Sequence, residues 1–161
     1  MKNARRREWN CLPLPRTDTI TMEKLTGLTK KDVPRSVFVC GDPNRVKGIA
    51  AFLDSPRELA RSREFVSFGG SLGGTKTLII SHGVGASGAA ICFQELIELG
   101  AETIVRLGTA GAFLDDYVIG DVFIPMGAFR LEGASRAMVQ PEYPAVPDFA
   151  LASTIYQALA R

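Results

Sequence analysis

Ser36-Val37-Phe38-Val39-Cys40 runs straight into Gly41-Asp42-Pro43-Asn44-Arg45, and this junction decides the fold class. Four β-branched, aromatic or apolar residues after Ser36 predict a short buried strand. Gly41 and Asp42 supply a tight turn. Pro43 suits the first position of a helix, where a backbone N–H would have no intrahelical partner to lose. Beyond it Val46, Ile49, Ala50 and Leu53 recur at helical spacing. Strand, glycine turn and helix therefore follow one another within about twenty residues.

The same order recurs downstream. Phe65, Phe68 and Leu72 lie in an extended, hairpin-like region punctuated by Gly69-Gly70 and Gly73-Gly74. Thr77 to Ser81 reads as a buried strand and the glycine-rich His82 to Gly88 as a turn. Ala89 to Leu99 then predicts a helix ending at Gly100. Thr103 to Leu107 reads as a further central strand running into Gly108-Thr109-Ala110-Gly111. Asp121 to Met126 predicts another strand, and Asp148 to Ala160 a helix with Phe149, Ala152, Ile155, Tyr156 and Leu159 on one side. Alternating helices and uniformly apolar strands predict an α/β sheet covered on both faces. In such sheets ligands gather at the carboxyl ends of the strands. No internal repeat or second domain is evident.

Composition narrows the class. The chain has 161 residues, enough for one domain with a real core. A net charge of +2 is too small to argue for nucleic acid or an acidic membrane surface, and much of it sits in Arg5, Arg6 and Arg7. Cys11, Cys40 and Cys92 are odd in number and widely spaced, which argues against a disulfide framework or a zinc site and fits a reducing cytosol. Apolar runs are too short to cross a bilayer. Residues 1–23 read as a disordered basic extension, with Met22 as a candidate start. Its prolines and Glu8 fit neither a secretory signal nor an amphipathic transit helix. The domain itself is expected over 24–161.

Three glycine turns follow three predicted strands, at Gly41, at Gly83-Val84-Gly85 and at Gly108 to Gly111. Glycines there let a ligand approach the backbone and meet its N–H groups. Arg45 and Arg106 flank the first and third turns. Arg106 stands within the apolar Ile104-Val105-Arg106-Leu107, where a guanidinium is costly unless an oxyanion or carboxylate neutralises it. The hydroxyl of Thr109 sits inside the third turn. Gly83 to Gly88 imitates a dinucleotide fingerprint, but the acidic residue expected after the next strand is missing, with Arg106 and Thr109 there instead. His82, the one histidine, suits a structural hydrogen bond better than base catalysis, since no positioned nucleophile is evident beside it. Glu95, Glu98 and Glu102 read as a solvated face.

At these residues the chain resembles the nucleoside phosphorylase family of uridine phosphorylases and hexameric purine nucleoside phosphorylases. The resemblance rests on ordered motifs from about Leu25 onward: Gly27-Leu28-Thr29-Lys30, Gly41-Asp42-Pro43-Asn44-Arg45-Val46, Arg63-Glu64-Phe65 and Ser81-His82-Gly83-Val84-Gly85. Gln94-Glu95-Leu96, Arg106-Leu107-Gly108-Thr109-Ala110-Gly111, Gly120-Asp121-Val122, Arg130 to Ser135 and Tyr143 to Asp148 complete it. Arg130-Leu131-Glu132-Gly133-Ala134-Ser135 favours the uridine branch. Ser81 to Gly85 together with Cys92 to Leu96 is also similar to protozoan-type purine enzymes.

The resemblance implies a central mixed β-sheet flanked by helices and a phosphorolytic reaction. Inorganic phosphate attacks C1′ of a ribonucleoside to give ribose 1-phosphate and free base, with no metal and no other cofactor. It implies phosphate binding by Gly41, Arg45, Arg106 and Thr109, with Arg63 reaching into a neighbouring subunit of a cytoplasmic homo-oligomer. Thr109 would also touch ribose, and Ala110 and Gly111 would lie near the base. No catalytic residue is assigned within these 161 residues. Leu25 stands where the uridine branch carries a histidine. The family's base-recognising glutamine and arginine and its ribose-binding methionine–glutamate pair belong to a later part of the chain, after the position of Arg161. The expectation is a phosphate-binding half whose sheet is incomplete at its carboxyl end, poorly soluble and inactive by itself; the alternative is a non-catalytic truncated paralogue that binds phosphate or partner subunits.

Overall fold

The computed structural model describes residues 24–160. The expected basic extension at 1–23, with Cys11, lies outside the described residues, as does Arg161. In chain order the elements are β1 (Ser36–Cys40), α1 (Pro43–Ala50), β2 (Asp54–Ser62), β3 (Phe65–Leu72), β4 (Thr75–Ser81), α2 (Gly85–Glu98), β5 (Thr103–Leu107), α3 (Gly133–Met138) and α4 (Phe149–Leu159).

One five-stranded sheet has the order β2-β3-β4-β1-β5. β4, β1 and β5 run parallel, and β2, β3 and β4 form an antiparallel meander, so the sheet is mixed. The parallel strands are joined by long connections, β1 to β4 through α1, β2 and β3 and β4 to β5 through α2, because a tight hairpin joins only antiparallel neighbours. Cys40 is in register with both Ser81 and Leu107. The residues after the three parallel strands, Gly41, His82 and Gly108, therefore emerge side by side at one edge.

Side-chain alternation divides the core between the two faces. Val37, Val39, Leu78 and Ile80 pack with Cys92 and Leu96 of α2, together with Leu28, Val33, Phe65 and Ala101. Cys40, Ile79 and Val66 point the other way, against Val46 and Ala50 of α1 and Leu53. Burying each large apolar side chain contributes about 1.5–3 kcal/mol, so the period-two pattern fixes which residues face which helix. Both expected core cysteines are buried and free. Burial pushes the Cys92 thiol up to about 12 and raises that of Cys40 as well.

Helix α1 starts as its sequence dictates. The Asp42 carboxylate accepts from the Asn44 amide at 2.8 Å, and Pro43 occupies the first turn. Helix α2 begins at Gly85, four residues before the expected Ala89. The glycine-rich segment is thus partly helical, and the turn proper is His82 to Val84. Gly83 has φ +73°, and a Cβ there would lie 2.6 Å from Glu64 Cγ, so glycine is required on both counts.

Three features differ from the sequence expectation. Among the described residues β5 has a strand partner on one side only, and Arg106 and Leu107 at its end are exposed. Asp121 to Met126 is no strand: it pairs with no neighbour among the described residues, and Val122, Phe123 and Met126 are 68%, 48% and 57% exposed. Apolar content favours a strand only where a neighbour supplies the ladder bonds. Third, α3 forms at Gly133–Met138, capped by the Glu132 carboxylate on the Ser135 amide. A groove beside α4, lined in part by Val122, Phe123, Ile124, Phe149 and Tyr156, is apolar and open.

Candidate functional site

Register brings the candidate residues together. Gly41 follows β1 and Arg106 ends β5, next to it in the sheet. A Cβ built on Gly41 would lie 3.7 Å from Arg106 Nη2 and 3.8 Å from His82 Cε1. A Cβ on Gly108 would lie 2.4 Å from Arg106 Nη1. The guanidinium is therefore seated between two glycines, and the second must lack a side chain for it to stay there. Neither glycine has the left-handed backbone that would explain its choice otherwise.

Arg45, in the first turn of α1, reaches across to the third turn. Its Nη2 donates to Thr109 Oγ1 at 3.3 Å, and its Nε lies 3.9 Å from the Asp42 carboxylate. Gly41, Arg45, Arg106 and Thr109 thus meet at the carboxyl ends of β1 and β5. Thr109, Ala110 and Gly111 are exposed and lie outside regular structure. Among the described residues, no hydrogen bond or ion pair joins Arg63 to this group. Arg63 sits in the exposed β2–β3 turn with φ +52°, at the same end of the sheet. The neighbouring Glu64 folds over Gly83, and its carbonyl accepts from Ser81 Oγ at 2.6 Å.

His82 is 3% exposed. Its Nε2 accepts from Arg106 Nε at 3.1 Å, and its ring meets Phe93 edge-on at 5.9 Å. Burial first, and the Arg106 charge second, hold the imidazole below its ordinary pKa. The expected structural hydrogen bond therefore exists, and its partner is a candidate site residue. Sequence reading missed that pairing, although two polar residues ending strands separated by one β-strand are a legible signal for it.

The expectation of a solvated acidic face needs correction at Glu95. Its two oxygens accept from the Leu25 and Thr26 amides at 2.8 and 2.9 Å, tying residues 24–28 to α2. Glu98 pairs with Lys24, and Glu102 with Arg35. Glu98 and Glu102 are exposed and agree with the expected solvated face; Glu95 alone has a structural role. Among the described residues no group of three or more His, Cys, Asp or Glu side chains is placed to hold a metal ion, and no helix is long and apolar enough to cross a membrane.

The mixed sheet gathers glycine turns and the Arg45 and Arg106 guanidiniums where its parallel strands end. Residues 35–161 match the family model of the phosphorylase superfamily, and the chain belongs to that family. It is 40% identical over 134 residues to the uridine phosphorylase of Klebsiella aerogenes, covering 82% of this chain and 53% of the relative. It is 38% identical over 137 residues to the purine nucleoside phosphorylase of Plasmodium vivax, covering 84% and 56%. The crystal structure of Vibrio fischeri uridine phosphorylase superposes with a TM-score of 0.83 at 36% identity, over 86% of this chain and 57% of that one. The chain spans about half the length of the curated relatives it matches.

Proposed function

We propose that this chain carries the phosphate-binding half of a nucleoside phosphorylase, with uridine as the favoured nucleoside. The observation that carries the reading is the convergence of Gly41, Arg45, Arg106 and Thr109 at the ends of β1 and β5. Two guanidiniums, a hydroxyl and backbone at two glycine turns match the charge and acceptor geometry of inorganic phosphate. Held there, phosphate is aimed at C1′ and places negative charge beside an oxocarbenium-like transition state, giving ribose 1-phosphate and free base. The chemistry is pentosyl transfer in nucleoside catabolism and pyrimidine salvage, and no cofactor beyond phosphate is required. Thr109 would contact ribose, with Ala110 and Gly111 near the base.

Arg63 is assigned to the phosphate of an adjacent subunit. It lies at the correct end of the sheet, is exposed, and is unattached to its own chain's cluster, which suits a contact made in trans. On this reading the enzyme is a homo-oligomer, and the free buried cysteines suit the reducing cytosol in which it would work. Similarity to uridine phosphorylases, together with Arg130 to Ser135, supports the uridine branch, while the Plasmodium relative supports a purine alternative.

The substrate class is tested by joining this chain to the second half of a uridine phosphorylase or of a purine nucleoside phosphorylase. Phosphate-dependent uracil release from uridine by the first hybrid alone supports the uridine branch. Hypoxanthine release from inosine by the second hybrid alone makes the chain a purine-branch half. Neither activity, in well-folded hybrids, overturns the phosphorylase reading.

A further inference from the structure

We propose that His82 is a positioning residue for the anion site: it accepts from Arg106 Nε and so leaves both Nη groups free to face an oxyanion. The inference rests on the phosphate reading above and adds a residue to it. Arg106 is exposed at the end of β5, and a long side chain there loses rotamer freedom when held in one geometry. His82 supplies the restraint. Its ring is almost fully buried and its edge-on contact with Phe93 limits rotation. Its own amide donates to the Cys40 carbonyl at 2.9 Å. With Nε spoken for, the guanidinium presents its end, and that end lies between Gly41 and Gly108.

The arrangement requires one protonation state. Nε2 can accept only with a lone pair, so the neutral ring carries its proton on Nδ1, which is buried without a hydrogen-bond partner. Protonation would set an N–H against a guanidinium and abolish the bond. Groups facing the His82 side chain are Arg106 from β5 and the uncharged Phe93 from α2; the Glu64 side chain of the β2–β3 turn lies against the adjoining Gly83. Burial and the Arg106 charge disfavour the imidazolium and outweigh the backbone of His82 and Gly83, which favours it, so the pKa is lowered. A histidine that merely fills the core would leave anion affinity indifferent to its charge.

His82 is the single histidine of the sequence, so its ring C–H resonance reports its titration without assignment. The test uses sulfate, whose charge is constant over the range, with calorimetry about one pH unit above and below the measured midpoint. Wild-type affinity falls roughly tenfold on acidification, because only about a tenth of the molecules keep the binding-competent neutral ring. His82→Gln, whose amide oxygen also accepts from Nε, binds at both pH values with a flat profile, and His82→Phe binds weakly at both. Arg106→Gln raises the histidine midpoint. Sulfate affinity that is equal or stronger below the midpoint, or His82→Phe binding like wild type, overturns the proposal. An unchanged midpoint in Arg106→Gln also sinks the pairing, without reference to any ligand. If wild type binds no sulfate above the midpoint while the midpoint still responds to Arg106, the phosphate reading is what fails, and the positioning role fails with it.

Discussion

Arg45 and Thr109, 64 residues apart in sequence, are joined by a hydrogen bond in which Arg45 Nη2 donates to Thr109 Oγ1 at 3.3 Å. The bond links the helix after β1 to the turn after β5 and sets the width of the proposed phosphate site. Both partners are exposed, so its net worth is about 0.5–1.5 kcal/mol. Thr109→Val is expected to weaken phosphate binding by roughly 2- to 12-fold, and Thr109→Ser to restore most of it. Calorimetric titration with phosphate measures both.

Gly108 and Gly83 make opposite predictions. A methyl group at Gly108 meets only the mobile end of Arg106, so Gly108→Ala displaces the guanidinium at little cost to the fold. Phosphate affinity should fall about tenfold while the melting temperature stays within a degree or so. At Gly83 the φ of +73° and the Glu64 side chain both oppose a Cβ. Gly83→Ala should cost about 1–3 kcal/mol of stability, visible as a lower urea midpoint.

Glu95 holds two backbone amides, one of them on the fully buried Thr26. Removing the carboxylate leaves those donors unsatisfied where water enters poorly. Glu95→Ala is expected to lower stability by about 2–3 kcal/mol with no direct effect on the anion site. Equal urea midpoints for wild type and variant would refute that role.

Stability should also respond to pH through His82. Its folded pKa lies below the ordinary value of about 6.5, so the unfolded chain takes up the proton first. Stability from this group is complete above that unfolded value and declines as pH falls through the folded one. The urea midpoint should drop over this window in wild type and drop less in His82→Gln. Identical pH dependences would remove His82 from the account.

Most of the fold was legible because local signals and tertiary context agreed. The run Ser36 to Cys40, its glycine turn and the periodic helix behind it reported the β1–α1 unit, and the same reasoning located β4, α2 and α4. Period-two burial at Leu78, Ile79 and Ile80 agrees with a sheet covered on both faces. Asp121 to Met126 misled because a strand exists only with a ladder partner, which composition does not report. Arg106 misled in a related way: its apolar neighbours implied burial, but among the described residues no strand lies on the far side of β5 and Arg106 is exposed. The candidate residues were legible as glycines and arginines at strand ends, and the sheet register brings them together. The bonds between them were not, since Arg45–Thr109, His82–Arg106 and Glu95 with Leu25 and Thr26 depend on register and crossover geometry.

The phosphate site itself is tested most directly by calorimetry with inorganic phosphate on the wild-type chain and on Arg106→Gln. Saturable binding by wild type, weakened by roughly 10- to 150-fold in the variant, is the predicted result for the loss of a charge-assisted contact. Equal affinity in the two proteins, or no phosphate binding by a folded wild-type chain, would contradict it.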